Sequence, residues 1–186
     1  WYDAISFCNR LSIKEGLEPC YELNGNTVKW PESTQCQGYR LPTEAEWDYA
    51  ARGGLPIQVN GTFRLYAGSS RYGLMGWSEE NAMGRPHEVG EKYPNNWGLV
   101  DVSGNVAEWV WDWYGPYGTR SVDPVGPDQG HARVLRGGSW QDSVVDVQTT
   151  RRNSAPPQHR HETIGFRVAR TLGVSNQLPK TSREEN

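Results

Sequence analysis

From Val106 to Trp113 the chain reads Val-Ala-Glu-Trp-Val-Trp-Asp-Trp, which places Trp109, Trp111 and Trp113 at every second position. In extended chain that period puts all three indoles on one face. A ring of this kind buries about 200 Å², so the segment is expected to be a strand of the core. Hydrophobic residues are only 35% of the sequence, but nine Trp and nine Tyr supply the apolar area a packed interior needs. With 186 residues, one domain fits best. Twenty-one Gly and twelve Pro predict that many turns connect the pieces of that core.

Helical signals occur twice. Ala4, Phe7, Cys8 and Leu11 recur at helical spacing ahead of Gly16, which predicts a helix over residues 2 to 14. Thr43 and Glu46 form a capping box, Glu44 and Glu46 complement the helix dipole, and Trp47, Ala50 and Ala51 share a face. These predict a second helix over 44 to 52, stopped by Gly53-Gly54. Between the two, Tyr21 to Trp30 reads as a short hairpin turned at Asn24-Gly25-Asn26. Residues 55 to 100 and 114 to 133 read as loop, and 141 to 163 as polar and irregular. Ile164 to Arg170 reads as a closing strand, and Thr171 to Asn186 as a polar tail.

A formal net charge of -3 and the lack of a basic stripe argue against a nucleic-acid surface. No stretch reaches the ~20 apolar residues of a membrane helix. The chain begins at Trp1 without a Met and reads as a fragment or processed form, which leaves its compartment open. Cys8 falls in the first helix and reads as a small apolar side chain. Cys20 and Cys36 either close a loop of about 15 residues as a disulfide or stay free in a reducing compartment.

Four segments stand out together: Tyr39-Arg-Leu-Pro-Thr-Glu-Ala-Glu-Trp47, then Asn96-Trp-Gly-Leu99 with Asp101-Val-Ser-Gly-Asn-Val-Ala-Glu-Trp109, then Arg136-Gly-Gly-Ser-Trp140, then Gly165-Phe-Arg167. In this order they resemble the formylglycine-generating-enzyme, or sulfatase-modifying-factor, domain family over residues 1 to 170, without the strand and loop that normally precede Trp1. The resemblance implies an α+β, C-type-lectin-like fold, loop-rich, with two main helices and short antiparallel strands. The family includes cysteine-to-formylglycine oxidases, sulfoxide synthases of thiohistidine biosynthesis, pigment-maturation and motility proteins, and retroelement-diversified receptors. Fold alone does not choose among these.

In the oxidases, two thiolates after the Gly-Gly-Ser-aromatic motif hold copper(I), a soft ion that needs soft ligands. Those positions fall on Asp142 and Val147, so no copper is expected. The sulfoxide synthases take iron-binding histidines from a separate helical domain that this chain lacks. His159 and His161 have no clear third ligand, and Ser139 is not in a nucleophile elbow. In calcium-binding relatives, an ion is held at positions matching Asp101, Gly104, Val106 and Glu108, with Val106 giving only its carbonyl, and hard oxygen ligands suit that ion. The structural alternative is that Asp101 and Glu108 bind turn amides or a nearby Arg. Ala107 stands where the family often has Trp, which implies a wider pocket.

From Arg152 the framework residues Arg152, Pro157, Arg160 and Ile164 alternate with small or polar ones, as in the diversified receptors, and ordinary undiversified relatives have a similar Arg/Pro spacing, so both types remain open. The resulting expectation is a non-catalytic domain that binds a protein or small molecule through residues 140 to 163. Trp140 would floor the site, and its contacts would be Gln141, Asp142, Val144, Asp146, Gln148, Asn153, Ala155, Gln158, His159, His161, Glu162 and Thr163. The runner-up is a metal-dependent oxidoreductase of altered chemistry that uses Asp142 and the histidines. A purely structural module comes third.

Overall fold

The computed structural model describes residues 1–54, 58–59, 61–119 and 122–173, so most of the expected tail, from residue 174 onward, lies outside the described residues. Helix α1 (Tyr2–Lys14) is followed by β1 (Glu22–Asn24), β2 (Thr27–Lys29), a single 3-10 turn (Ser33–Gln35), β3 (Tyr39–Arg40) and α2 (Glu44–Ala51). Next come β4 (Gln58–Val59), β5 (Thr62–Phe63), the one-turn α3 (Tyr72–Met75), β6 (Gly76–Trp77) and β7 (Ser103–Gly104). The chain then runs through β8 (Ala107–Trp113), β9 (Arg133–Arg136), β10 (Arg152–Ala155), β11 (Ile164–Phe166) and β12 (Ala169–Arg170).

The central sheet has the order β10-β9-β8-β11, with β8 and β9 at its heart. β9 pairs antiparallel with β8 and β10, whereas β11 joins β8 in parallel, as β6 joins β7. Two of the short pairings therefore depart from the antiparallel expectation. The segment expected to be irregular after residue 141 contains β10, whose backbone pairs with β9 although its side chains are mostly polar.

The tryptophan strand is buried on both faces. Ala107 and Trp109 pack with α1, Tyr21, Leu41 and Leu135, and Trp111 lies against the same cluster. Val110 faces the opposite way, into a second cluster with Trp47, Val102, Val134 and Val147. The one-face reading thus places the tryptophans correctly, and the residues between them are also in the interior. Trp111 stacks on Tyr21 with centroids 5.3 Å apart and planes at 9°. Arg133 lies between the rings of Trp1 and Trp113, at 3.8 and 3.6 Å from their centroids, in a cation–π sandwich.

α1 buries Ala4, Ile5, Cys8 and Ser12, and Phe7, expected inside, is 41% exposed against Phe166. At α2 the capping box is formed: Glu46 donates its amide to Thr43 Oγ1 and accepts from the Thr43 amide. Asn95 closes the other end of α2, donating to the carbonyls of Ala50 and Ala51 at 2.7 and 3.0 Å. Cys20 and Cys36 form a disulfide, and Cys8 is a buried free thiol. No helix among the described residues is long and apolar enough to cross a membrane.

Candidate functional site

The loop from β9 to β10 carries the positions at which the oxidases hold copper. Gly137 and Gly138 lead into it at positive φ, and a Cβ at Gly138 would fall 2.9 Å from Val147 Cγ1. That contact packs the start of the loop against its own end. Val147 is fully buried in the α2 cluster. Asp142 Oδ2 accepts from the Ser139 amide and hydroxyl at 2.8 and 2.7 Å. One ligand position therefore holds core hydrocarbon and the other a carboxylate committed to its own turn.

Beside this loop is a cleft of about 280 Å³. Ala107, Leu135 and Gly138 line it together with the polar side chains of Asp142, Asp146, Arg151, Arg152 and Asn153. Ala107 contributes only a methyl group to that wall. Of the expected contact residues, Asp142, Asp146 and Asn153 line the cleft. Trp140 and Ala155 do not: each is only 9% exposed, and Trp140 is held by its amide on the Asn105 carbonyl at 2.9 Å. Gln141, Gln158, His159, His161 and Glu162 are exposed, and Val144, Gln148 and Thr163 are half-buried, none of them in the cleft wall.

His159 and His161 stack with centroids 6.1 Å apart, and His161 Nδ1 lies 2.8 Å from Thr163 Oγ1. Neither histidine joins Asp142 in the cleft. Among the described residues no group of three or more His, Cys, Asp or Glu is placed to hold a metal ion.

The expected calcium residues present opposing features. Asp101 Oδ1 is buried without a hydrogen-bond partner, the kind of oxygen an ion satisfies, while its Oδ2 accepts from the Gly90 amide at 2.7 Å. Glu108, however, receives Arg167 on both oxygens at 2.5 Å and Trp47 Nε1 on Oε2 at 2.6 Å. The Arg167 guanidinium also donates to the Val100 carbonyl at 3.2 Å. A guanidinium thus supplies the positive charge at Glu108, and this arrangement fits a calcium ion only if Arg167 withdraws.

A larger cleft, which sequence reasoning did not locate, lies on the other side of Arg152, with a volume of about 860 Å³. Glu44 and Asp48 of α2, Asp112 of β8 and Arg136 of β9 form its charged floor, and residues 116–118 and 124–128 form its wall. Arg152 grips Glu44 with Nε–Oε1 2.6 Å and Nη2–Oε2 2.7 Å, and lies 4.3 Å from the Tyr117 ring centroid. Arg136 adds a contact to Glu44 Oε1 at 3.3 Å. Asp112 Oδ2 accepts from the Glu44 amide at 2.7 Å, which fastens the start of α2 to the tryptophan strand.

The chain is similar in sequence and fold to known proteins. The chain is 36% identical over 201 residues to the chaperone protein LppX of Paenibacillus barcinonensis, covering 92% of this chain and 68% of that protein. It is 38% identical over 167 residues to the formylglycine-generating enzyme of Streptomyces coelicolor, covering 80% of this chain but only 53% of the enzyme. Among solved structures, Treponema denticola variable protein 1 superposes with a TM-score of 0.78 at 38% identity, over 90% of this chain and 68% of that one. The model of the sulfatase-modifying factor enzyme 1-like domain matches residues 1–172, and the chain belongs to that family, with its α+β, C-type-lectin-like fold.

Proposed function

We propose that this domain binds a ligand through the cleft between β8 and the β9–β10 loop and does not perform the oxidation of its catalytic relatives. The observation that carries the reading is the pairing of an intact scaffold with Asp142 and Val147 at the thiolate positions, next to a cleft with Ala107 in its wall. Asp146, Arg151 and Asn153 present both charge signs and an amide at the cleft wall, and framework packing holds the loop that carries them. The likeness to a Treponema variable protein supports recognition by a fixed scaffold with exchangeable contact residues. Whether this chain is itself diversified is decided by its genomic neighbourhood, where a reverse transcriptase and a near-copy of the segment after Trp140 are the expected signature.

The experiment is selection of binders from a displayed peptide library, repeated with the Ala107→Trp variant. Binders that use the cleft lose most of their affinity for the variant. Binding that Ala107→Trp leaves unchanged would place recognition elsewhere and overturn the reading.

Calcium forms a second, conditional proposal: an ion would take Asp101 Oδ1, the carbonyls at Gly104 and Val106, and Glu108 once Arg167 leaves it. The unpartnered Asp101 oxygen supports it. A calcium-dependent rise in melting temperature tests it.

A further inference from the structure

Asp112 is 4% exposed, and its carboxyl is held by the Glu44 amide on Oδ2 and by its own backbone amide. It faces the larger cleft. Gly126 packs closely on this carboxyl: at φ +76°, a Cβ there would fall 2.8 Å from Asp112 Cβ and Oδ1, so a larger residue would crowd it. A buried carboxyl held only by backbone amides at the edge of a cleft of ligand size has acceptor capacity left for a hydrogen-bond donor.

The charge at the site selects the donor. The described lining residues include four carboxylates, Glu44, Asp48, Asp112 and Asp128, and two guanidiniums, Arg136 and Arg152. Both guanidiniums are already committed to Glu44, and Arg136 also to Asp48 at 3.0 Å. Asp112 and Asp128 make no ion pair among the described residues. Among the lining residues carboxylates outnumber guanidiniums, with Arg52 on Asp48 and Arg133 near Asp112 offsetting part of that charge, while Pro116, Pro124, Val125 and Pro127 supply apolar wall.

We propose that this cleft binds an organic ammonium ion, a primary amine on a compact apolar or aromatic body, with its charged nitrogen on Asp112 and its body against the proline-rich loop. This site is separate from the cleft at Asp142 and does not depend on that reading. Burial first, and then the charge of Glu44, hold the Asp112 carboxyl up at about 7 against the opposing hydrogen bonds from the Glu44 amide and its own amide and the charge of Arg133. Asp48, Tyr117, Asp128, Arg136 and Arg152 are the other ionisable groups around it. An arriving ammonium ion favours the charged carboxylate, so binding releases a proton and tightens as pH rises.

The test uses phenethylamine, which stays charged throughout the range, against phenethyl alcohol, its neutral counterpart, with amide NMR of the labelled chain as readout. Saturable shifts at Ala45, Gly118 and Gly126 are expected for the amine. Its affinity should rise about tenfold between pH 6 and pH 8, as a carboxyl with a pKa near 7 ionises. Asp112→Asn, which keeps an acceptor for the Glu44 amide, should weaken binding and flatten the pH dependence. Val125→Trp, which fills the wall without touching Asp112, should abolish binding while leaving the rest of the spectrum in place. Equal binding of the alcohol, an affinity that does not change with pH, or absence of saturable shifts at those amides would overturn the proposal.

Discussion

Asp142 folds its carboxylate back onto Ser139, accepting from the amide at 2.8 Å and the hydroxyl at 2.7 Å. The loop is thereby closed on itself at the point where the oxidases turn a thiolate outward to metal. Replacing Asp142 and Val147 together by Cys restores the two soft ligands of the oxidases and should create a copper(I) site. Competition with a colorimetric copper(I) chelator should show tight binding by the double variant and none at this loop in the native chain. The Val147→Cys change alone should cost about 1 kcal/mol of stability, since it removes apolar volume from a fully buried position.

Arg167 and Glu108 make a partly buried pair with side chains 27% and 7% exposed. Arg167→Ala leaves a buried carboxylate facing only Trp47 Nε1 and should cost about 3 kcal/mol, read by denaturant unfolding. The same variant uncovers the oxygens calcium would need. Millimolar calcium should therefore raise the melting temperature of Arg167→Ala more than that of the native chain.

The disulfide between Cys20 and Cys36 closes a loop with a sequence separation of 16. Its reduction should cost about 3 kcal/mol by restricting the unfolded chain less. Thermal unfolding with and without reductant measures this. The Cys20→Ala, Cys36→Ala double variant should start at the lower stability and ignore the reductant.

Asp112 gives the fold a pH dependence of opposite sign to that of most carboxylates. Its folded value of about 7 lies above the ordinary 3.8, so the native state holds the proton more tightly than the unfolded chain. The resulting stability is fully present below about pH 4 and is lost as pH rises through about 7, with a ceiling of roughly 4 kcal/mol at ~1.4 kcal/mol per unit. Asp112→Asn should remove this decline. Melting temperatures between pH 5 and pH 8 should fall further for the native chain than for the variant.

Elements that rest on local pattern were legible in the sequence. The capping box at Thr43, the hairpin at Asn24-Gly25-Asn26 and the tryptophan strand are each specified within a few neighbouring residues, and each forms. β10 escaped notice because an edge strand of Arg, Asn, Ser and Ala is held by backbone pairing with β9 and shows no apolar alternation. The parallel partnership of β11 with β8 joins residues more than fifty positions apart, a distance over which no periodicity carries information.

The candidate sites divide in the same way. The loss of the thiolates was readable position by position, and Asp142, Asp146 and Asn153 do line the smaller cleft. Trp140, expected to floor the site, is only 9% exposed, drawn into the interior where the loop turns on Ser139. The larger cleft was invisible because Glu44, Asp112 and Arg152 meet only in three dimensions. Nothing in their separate motifs marks them as neighbours.

The most direct test of the central claim is a turnover assay on a cysteine-containing sulfatase-type peptide. The chain is supplied with copper(I) and oxygen, and the peptide is followed by mass spectrometry. A domain with Asp142 and Val147 at the thiolate positions should leave the cysteine unchanged, without the aldehyde product. Repeated conversion to formylglycine by the native chain would contradict the account.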